Sequence, residues 1–300
     1  MTTVRFSSRP EMEPLGSERS IYSYPIAGKP LYHHMLERWL DLNSNLRIAV
    51  DDPLILTDQN IMADIVRFGD VVTTLAMNED DGTHEPLFLK RDGASLELRY
   101  PWHLLNVLDE IADEFEEYIA PDADIEDGVE FGGKVIIESG VKIMSRARLK
   151  GNIYLGAGTI IGNSAMLRGN VSMGPNSVVG LSGEVKNSLM LERSLVGPMT
   201  TMHESICEED CFIGGTTRVS NYRLDNRNVD VLVNGESIDT GRLQFGTILA
   251  AGVRFGGACL ILPGRKIGRE CEIGPHVVVT KNLPARKRII LRQNLAISDL

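Results

Sequence analysis

From Ile119 onward every sixth residue is apolar: Ile119, Ile125, Phe131, Ile137, Ile143, Leu149, Leu155, Ile161, Leu167, Met173, Val179, Val185 and Leu191. Roughly 45% of positions are apolar in an average chain, so a run of this length is not a chance pattern. A second track, two residues earlier, is small or β-branched: Ala123, Val129, Val135, Val141, Ala147, Thr159, Ala165, Val171 and Ser177. Glycine often follows the large residue, as at Gly132, Gly156, Gly162, Gly174 and Gly180, where a chain turning a corner adopts an unusual φ. A flat side plus a corner, repeated, closes in three sides into a triangular coil. Stacked coils then pair as parallel strands about 4.8 Å apart, each covering the apolar edge of the last. The predicted fold is therefore mainly β, a parallel β-helix of about eight coils over residues 119–283.

The rhythm lapses twice. After Leu191 the large apolar positions move to a shifted frame, Cys207, Ile213 and Val219, before resuming as Leu249, Phe255, Ile261, Ile267, Ile273 and Val279. From Asn221 the segment NYRLDNRNVDVLVNGESIDTGRLQFG has no period of six, and its VDVLVNGESI alternates around Asn234-Gly235. That is the signature of a hairpin, here within an inserted loop over 221–245, and insertions in solenoids are commonly thrown from the binding face. The cysteines follow the coil: Cys207 falls at a large inward position and Cys211, Cys259 and Cys271 on the small track. They read as buried thiols rather than a metal set or disulfides.

Residues 1–118 lack the period and read as a small α/β lobe, and 284–300 as a C-terminal tail. YHHMLERWLDL carries its apolar residues at helical spacing, NLRIAV and FGDVVTTLAM read as strands, and LFLKRDGASLELRY as a hairpin turning at Asp92-Gly93. PWHLLNVLDEIADEFEEY reads as a helix with Pro101 at its start, leading into the solenoid. His33 and His34, adjacent on a helix, point apart and have no further ligands near them in sequence, so they are read as a solvated face.

Charge narrows the function. With 31 Lys+Arg against 41 Asp+Glu the net charge is −10, which sets nucleic acid aside as a partner. No stretch has the apolar length of a signal peptide or a membrane span, so a cytoplasmic protein with no membrane partner is expected.

Several stretches resemble the archaeal-type bifunctional enzymes that join a sugar-1-phosphate nucleotidylyltransferase to a hexapeptide acetyltransferase, relatives of the bacterial N-acetylglucosamine-1-phosphate uridyltransferase. YPIAGKPLYHHMLERW resembles the GKP segment of the nucleotidyltransferase domain, and YPWHLLNV the helix entering the β-helix. SNYRLDNRNVDV and TGRLQFGTILAAGVRFGGACLILPGRKIG resemble the acetyltransferase domain closely. The resemblance implies a left-handed β-helix, a homotrimer, and acetyl-CoA or another acyl-CoA bound along the last coils, where Arg265, Lys266, Lys281 and the basic Arg286, Lys287 and Arg288 are available. About twenty residues precede PIAGKP and hold no GGxGTRL phosphate-cradling loop, so nucleotidyl transfer is not expected and the lobe is read as a structural remnant.

For the acetyltransferase site the family places an Arg on one coil, a Lys in an E-x-K segment on the next, a His twelve residues after that Lys, a Tyr three further on, and an Asn opening the insert. Arg168, Glu184, Lys186 and Asn221 match, with Arg227 of the insert as a further substrate contact, while Pro198 and Thr201 stand at the His and Tyr positions. Arg and Lys suit a sugar phosphate. Proline can accept no proton, so His203 and Glu204, and also Glu184, are the candidate replacement bases. Two functions remain open: an acyl-CoA-dependent acyltransferase acting on an amino-sugar phosphate or related nucleotide sugar, or a catalytically inactive sugar-phosphate-binding or regulatory homologue. A γ-type carbonic anhydrase needs three zinc-binding histidines, and only His203 and His276 lie in the solenoid.

Overall fold

The structure, a computed structural model, describes residues 2–6, 10–16, 19–42, 46–50, 52–68, 70–73, 88–89, 95–96 and 98–298. From Tyr118 the chain winds into a parallel β-helix. Nine parallel strands stack along one side, from Asp124–Ile125 to Arg288–Ile289, and a fourteen-stranded sheet forms the other sides. Nine coils are thus built where about eight were expected, and the last strand lies in the stretch read as a tail. Ile143, Leu149, Leu155, Ile161, Leu167, Val179 and Val185 fill the interior without solvent contact.

Small inward positions carry polar atoms that close on the coil above. Ser194 N–H donates to Ser177 Oγ (3.3 Å) and Cys211 N–H to Ser194 Oγ (3.1 Å). At another corner Thr217 N–H donates to Thr200 Oγ1 (3.3 Å) and Cys259 N–H to Thr217 Oγ1 (3.2 Å). Each hydroxyl passes its own proton to a carbonyl, so the ladders leave these buried donors satisfied. Cysteine continues the ladders where hydroxyls stop: Cys211, Cys259 and Cys271 are buried free thiols, and burial pushes all three above the ordinary thiol range.

The rhythm breaks at one corner. Arg168 pairs with Lys186, but Val171 pairs with Ser188, so one residue is lost between the two coils. Lys186 then pairs with His203, and Leu189 with Ile206, keeping the shortened corner on the next coil. Met190 therefore takes the interior place that the count of six gives to Leu191, and Leu191 faces outward into the seam with the lobe.

The lobe builds a three-stranded parallel sheet (Thr2–Phe6, Leu46–Val50, Asp70–Thr73) with Leu46–Val50 central, and helices α1 (Leu31–Leu42), α2 (Pro53–Leu56), α3 (Gln59–Ile65) and α4 (His103–Ala112). Phe88–Leu89 and Ser95–Leu96 pair antiparallel; the expected turn at Asp92-Gly93 lies outside the described residues. α4 is shorter than the sequence suggests and ends at Ala112. His33 and His34 are not a solvated face: His33 Nε2 meets the Asp64 carboxylate and His34 Nε2 lies 2.9 Å from the Ile26 carbonyl. No helix among the described residues is long and apolar enough to cross a membrane.

The lobe docks on the outside of the β-helix through one apolar core in which Trp102, Leu105 and Leu108 meet Leu189, Leu191, Ile206, Phe245 and Ile248. At its edge the buried Glu208 carboxylate accepts from the Tyr24 hydroxyl, Gly16 N–H (2.9 Å) and Ala251 N–H (2.7 Å). Burial outweighs these donors and the nearby Arg19, lifting the carboxyl to about 7. A carboxyl raised on folding stabilises most below its unfolded value near 4.5, and that contribution fades as pH rises to about 7. The stability advantage of the parent over Glu208→Gln, measured by thermal melting, is expected to shrink from pH 5 to pH 8; a growing advantage would contradict this reading of the clamp.

A candidate active site at the shortened corner

The short corner brings three of the sequence candidates into line. Arg168, Lys186 and His203 occupy one register on three successive coils. Losing one residue after Lys186 puts Asn187 and Glu204 themselves at the corner, both with positive φ (44° and 49°). Ser188 and Ser205 follow and repeat the ladder device: Ser205 N–H donates to Ser188 Oγ (3.0 Å), and Thr247 N–H to Ser205 Oγ (3.1 Å).

Two glycines are required for this packing. Gly169, at φ 69°, leaves the space that the Asn187 carboxamide fills; a Cβ there would lie 1.7 Å from Asn187 Oδ1. Gly246, where the insert rejoins the coil, lets the backbone close on the corner, since a Cβ would stand 2.2 Å from the His203 carbonyl oxygen.

Two charged groups result. In the first, Arg168 Nε donates to Glu184 Oε1 (2.5 Å), and His203 Nε2 lies 3.2 Å from the same oxygen without the alignment of a hydrogen bond. His203 Nε2 is buried and has no hydrogen-bond partner among the described residues. Burial lowers the imidazole below its ordinary value; Glu184 and Glu204 oppose this, and Arg168 and Lys186 reinforce it. The ring is neutral at neutral pH and can accept a proton.

In the second group, Glu204 is only 3% exposed; its Oε1 forms an ion pair with Lys186 Nζ (2.8 Å) and accepts from Asn187 Nδ2 (2.8 Å). Arg242 Nη2 lies 3.7 Å from its other oxygen, and Lys186 Nζ also donates to Gln244 Oε1 (2.9 Å). Glu204 is thus committed to Lys186 and Asn187, which suits it to hold the ammonium rather than to take a substrate proton. Beside it opens a cleft of about 440 Å³ lined by Asn187, Glu204, Tyr222, Arg242, Leu243 and Gln244.

Asn221 roots the insert here, its carbonyl accepting from Phe245 N–H (2.9 Å), next to the bridge between Tyr222 and Gln244. Arg227 is not brought in: it is 76% exposed and paired with Asp225 on the outside of the insert. Pro198 lies at the corner before the strand Thr201–His203, whereas His203 ends that strand.

The basic candidates on the last coils separate. Arg265 turns into a cleft of about 520 Å³ under the insert and donates to the carbonyls of Pro263 (3.0 Å) and Thr280 (3.1 Å). Lys266 lines a different cleft of about 440 Å³ with Arg269, Asn282, Leu283 and Glu13, and burial lowers its ammonium. Lys281 is exposed. Among the described residues no group of three or more His, Cys, Asp or Glu could hold a metal ion.

The sequence reading missed Asn187, Arg242 and Gln244. The signal that could have found Asn187 is the five-residue interval from Val185 to Met190, repeated from Met202 to Cys207, which marks a tightened corner; Arg242 and Gln244 reach it from the insert and carry no such signal.

No family model matches the chain. The bifunctional sugar-1-phosphate nucleotidylyltransferase/acetyltransferase of Sulfurisphaera tokodaii is 31% identical over 219 residues, 72% of this chain and 53% of that protein. The bifunctional protein GlmU of Methanococcus maripaludis is 35% identical over 202 residues, 67% of this chain and 48% of that one. The uncharacterized acetyltransferase YaiX of Escherichia coli O6:K15:H31 is 33% identical over 102 residues, 34% of this chain and 44% of that one. The chain spans about half the length of the curated relatives it matches.

Gly246→Ala is expected to lower unfolding free energy by about 2 kcal/mol or more in a denaturant titration, because the methyl meets backbone rather than a movable side chain. Unchanged stability would contradict the close approach at His203.

Proposed function

We propose that this chain, a homologue of the archaeal-type bifunctional sugar-1-phosphate nucleotidylyltransferase/acetyltransferases through their acetyltransferase part, is an acyl-CoA-dependent acyltransferase acting on an amino-sugar phosphate or a related nucleotide sugar. The observation that carries this is His203: a half-buried neutral imidazole whose buried Nε2 has no hydrogen-bond partner among the described residues, beside Glu184 and one coil from Lys186.

His203 serves as the general base. The acceptor amine attacks the thioester carbonyl carbon, its N–H proton passes to His203 Nε2, and the carbon–sulfur bond breaks to release coenzyme A as the thiol. Such a positioned base contributes typically about 10²–10⁴ in rate. Glu184 stabilises the imidazolium as it forms, and the Arg168 guanidinium on the same oxygen keeps the Glu184 carboxylate oriented. Lys186, fixed by Glu204 and Gln244, which line the cleft, supplies positive charge for the acceptor's phosphate. Pro198, at the family's His position, takes no part in proton transfer. Among the basic candidates for the acyl carrier's phosphates, Lys266 is the better placed, because it shares its cleft with Arg269 while Arg265 is held by carbonyls. A trimeric assembly and a left-handed coil are part of this proposal.

The test is thiol release from acetyl-CoA with glucosamine-1-phosphate and a panel of amino sugars and their phosphates. Expected is turnover by the parent, a loss of at least about 100-fold in kcat for His203→Ala, and a raised acceptor KM for Lys186→Ala. Thermal stabilisation by a sugar phosphate without turnover of any acceptor would replace the enzyme by a binding protein.

A further inference from the structure

We propose that the lobe is a working part of this site rather than a remnant: α4 closes a polar ring around Glu204 that fixes the Lys186 ammonium, so the lobe sets the affinity for the acceptor's phosphate. The inference rests on the acyltransferase reading of the same corner and adds the element that positions its lysine.

The ring starts and ends on α4. Asn106 Oδ1 accepts from Arg242 Nη1 (2.5 Å), and Arg242 Nη2 approaches Glu204 Oε2 (3.7 Å). Glu204 Oε1 is ion-paired with Lys186 Nζ (2.8 Å) and accepts from Asn187 Nδ2 (2.8 Å). Asn187 Oδ1 accepts from Asn170 N–H (3.0 Å), and Asn170 Nδ2 donates to Asp109 Oδ1 (2.8 Å), back on the helix. Asn106 and Asp109 are one turn apart and share a face of α4. Three separate segments, the lobe helix, the shortened coils and the root of the insert, thus converge on one buried carboxylate.

Docking alone does not require this. Trp102, Leu105 and Leu108 already seat α4 on Leu189, Ile206 and Phe245 through apolar contact. Burying Glu204 and half-burying Asp109 in that seam carries a desolvation cost that an apolar face would avoid, and polar networks of this kind specify geometry more than they add stability. The geometry specified here is that of Glu204, whose nearest cation is Lys186. With α4 displaced, Arg242 loses its Asn106 anchor and Asn170 its side-chain partner, Glu204 can turn, and Lys186 loses its fixed partner.

The ring is tested on the full chain with Asn106→Ala, Asp109→Ala and Asn170→Ala, the last of which removes the contact to Asp109 from the coil side while keeping the backbone N–H on Asn187. Asp109→Asn keeps an acceptor oxygen for Asn170 and serves as the conservative rescue. Folding is checked by circular dichroism. Acceptor KM and kcat are read with acetyl-CoA and glucosamine-1-phosphate, and the Lys186 amine is probed by acetylation with N-hydroxysuccinimidyl acetate and peptide mass spectrometry.

Expected for each alanine variant is an acceptor KM raised about tenfold with kcat held within about twofold, and Lys186 labelling about tenfold faster, the scale of one lost charge-assisted hydrogen bond. Asp109→Asn should restore both readouts. A folded alanine variant with parental KM and parental Lys186 labelling overturns the proposal. If the parent turns over no amino sugar, the acyltransferase reading fails, and the labelling alone decides the ring: faster labelling upholds it and parental labelling overturns it.

Discussion

One missing residue governs this molecule. A β-helix stacks like on like, so a coil that is shorter by one residue at a corner must either slip its register or tighten the turn. Here the turn tightens between Lys186 and Ser188, and the next coil copies it between His203 and Ser205. The flat sides above and below stay paired. The tightened corner puts Asn187 and Glu204 at positive φ and leaves Lys186 and His203 at matched positions on either side of the Glu184 and Glu204 carboxylates.

Electrostatics then divide the labour. Burial keeps the His203 imidazole neutral against the pull of Glu184, the carboxylate that Arg168 and His203 share. Glu204, buried and hydrogen-bonded, fixes Lys186. Two carboxylates in adjacent coils thereby take different roles because their surroundings differ: one is partly open and holds a base, the other is closed and holds a cation. The lobe enters through α4, whose apolar face docks on the coil and whose polar face reaches the closed carboxylate.

The fold was legible because the β-helix repeats one physical demand every six residues, and Ile143, Leu149, Leu155 and Ile161 meet it without exception. The hairpin at Asn234-Gly235 was equally plain, since a two-residue turn with both φ values positive selects those residues, as found here (49° and 88°). Leu191 was misassigned because a count of six cannot register a five-residue edge, and Met190 and Leu191 are both large and apolar. Arg168, Glu184, Lys186 and His203 were named from the sequence, but their alignment depends on coil length, which single-residue spacing along the chain does not give. Arg242, Asn106 and Asp109 were invisible because they meet only through the docking of distant segments, and Arg227 was named although Asp225, two residues away, already neutralises it. His33 and His34 looked solvated because neither Asp64 nor the Ile26 carbonyl is a helical neighbour in sequence.

The central claim is that the shortened corner holds His203 as a half-buried, neutral imidazole beside a fixed ammonium. Its most direct measurement is an NMR pH titration of the six histidine rings, with His203 assigned by the signal lost in His203→Ala. The expected result is a His203 midpoint below about 6.5, the ordinary imidazole value. A midpoint at or above that value would mean that the carboxylates, not burial, dominate the corner, and one above about 7 would leave His203 mainly charged at neutral pH and unable to serve as the base.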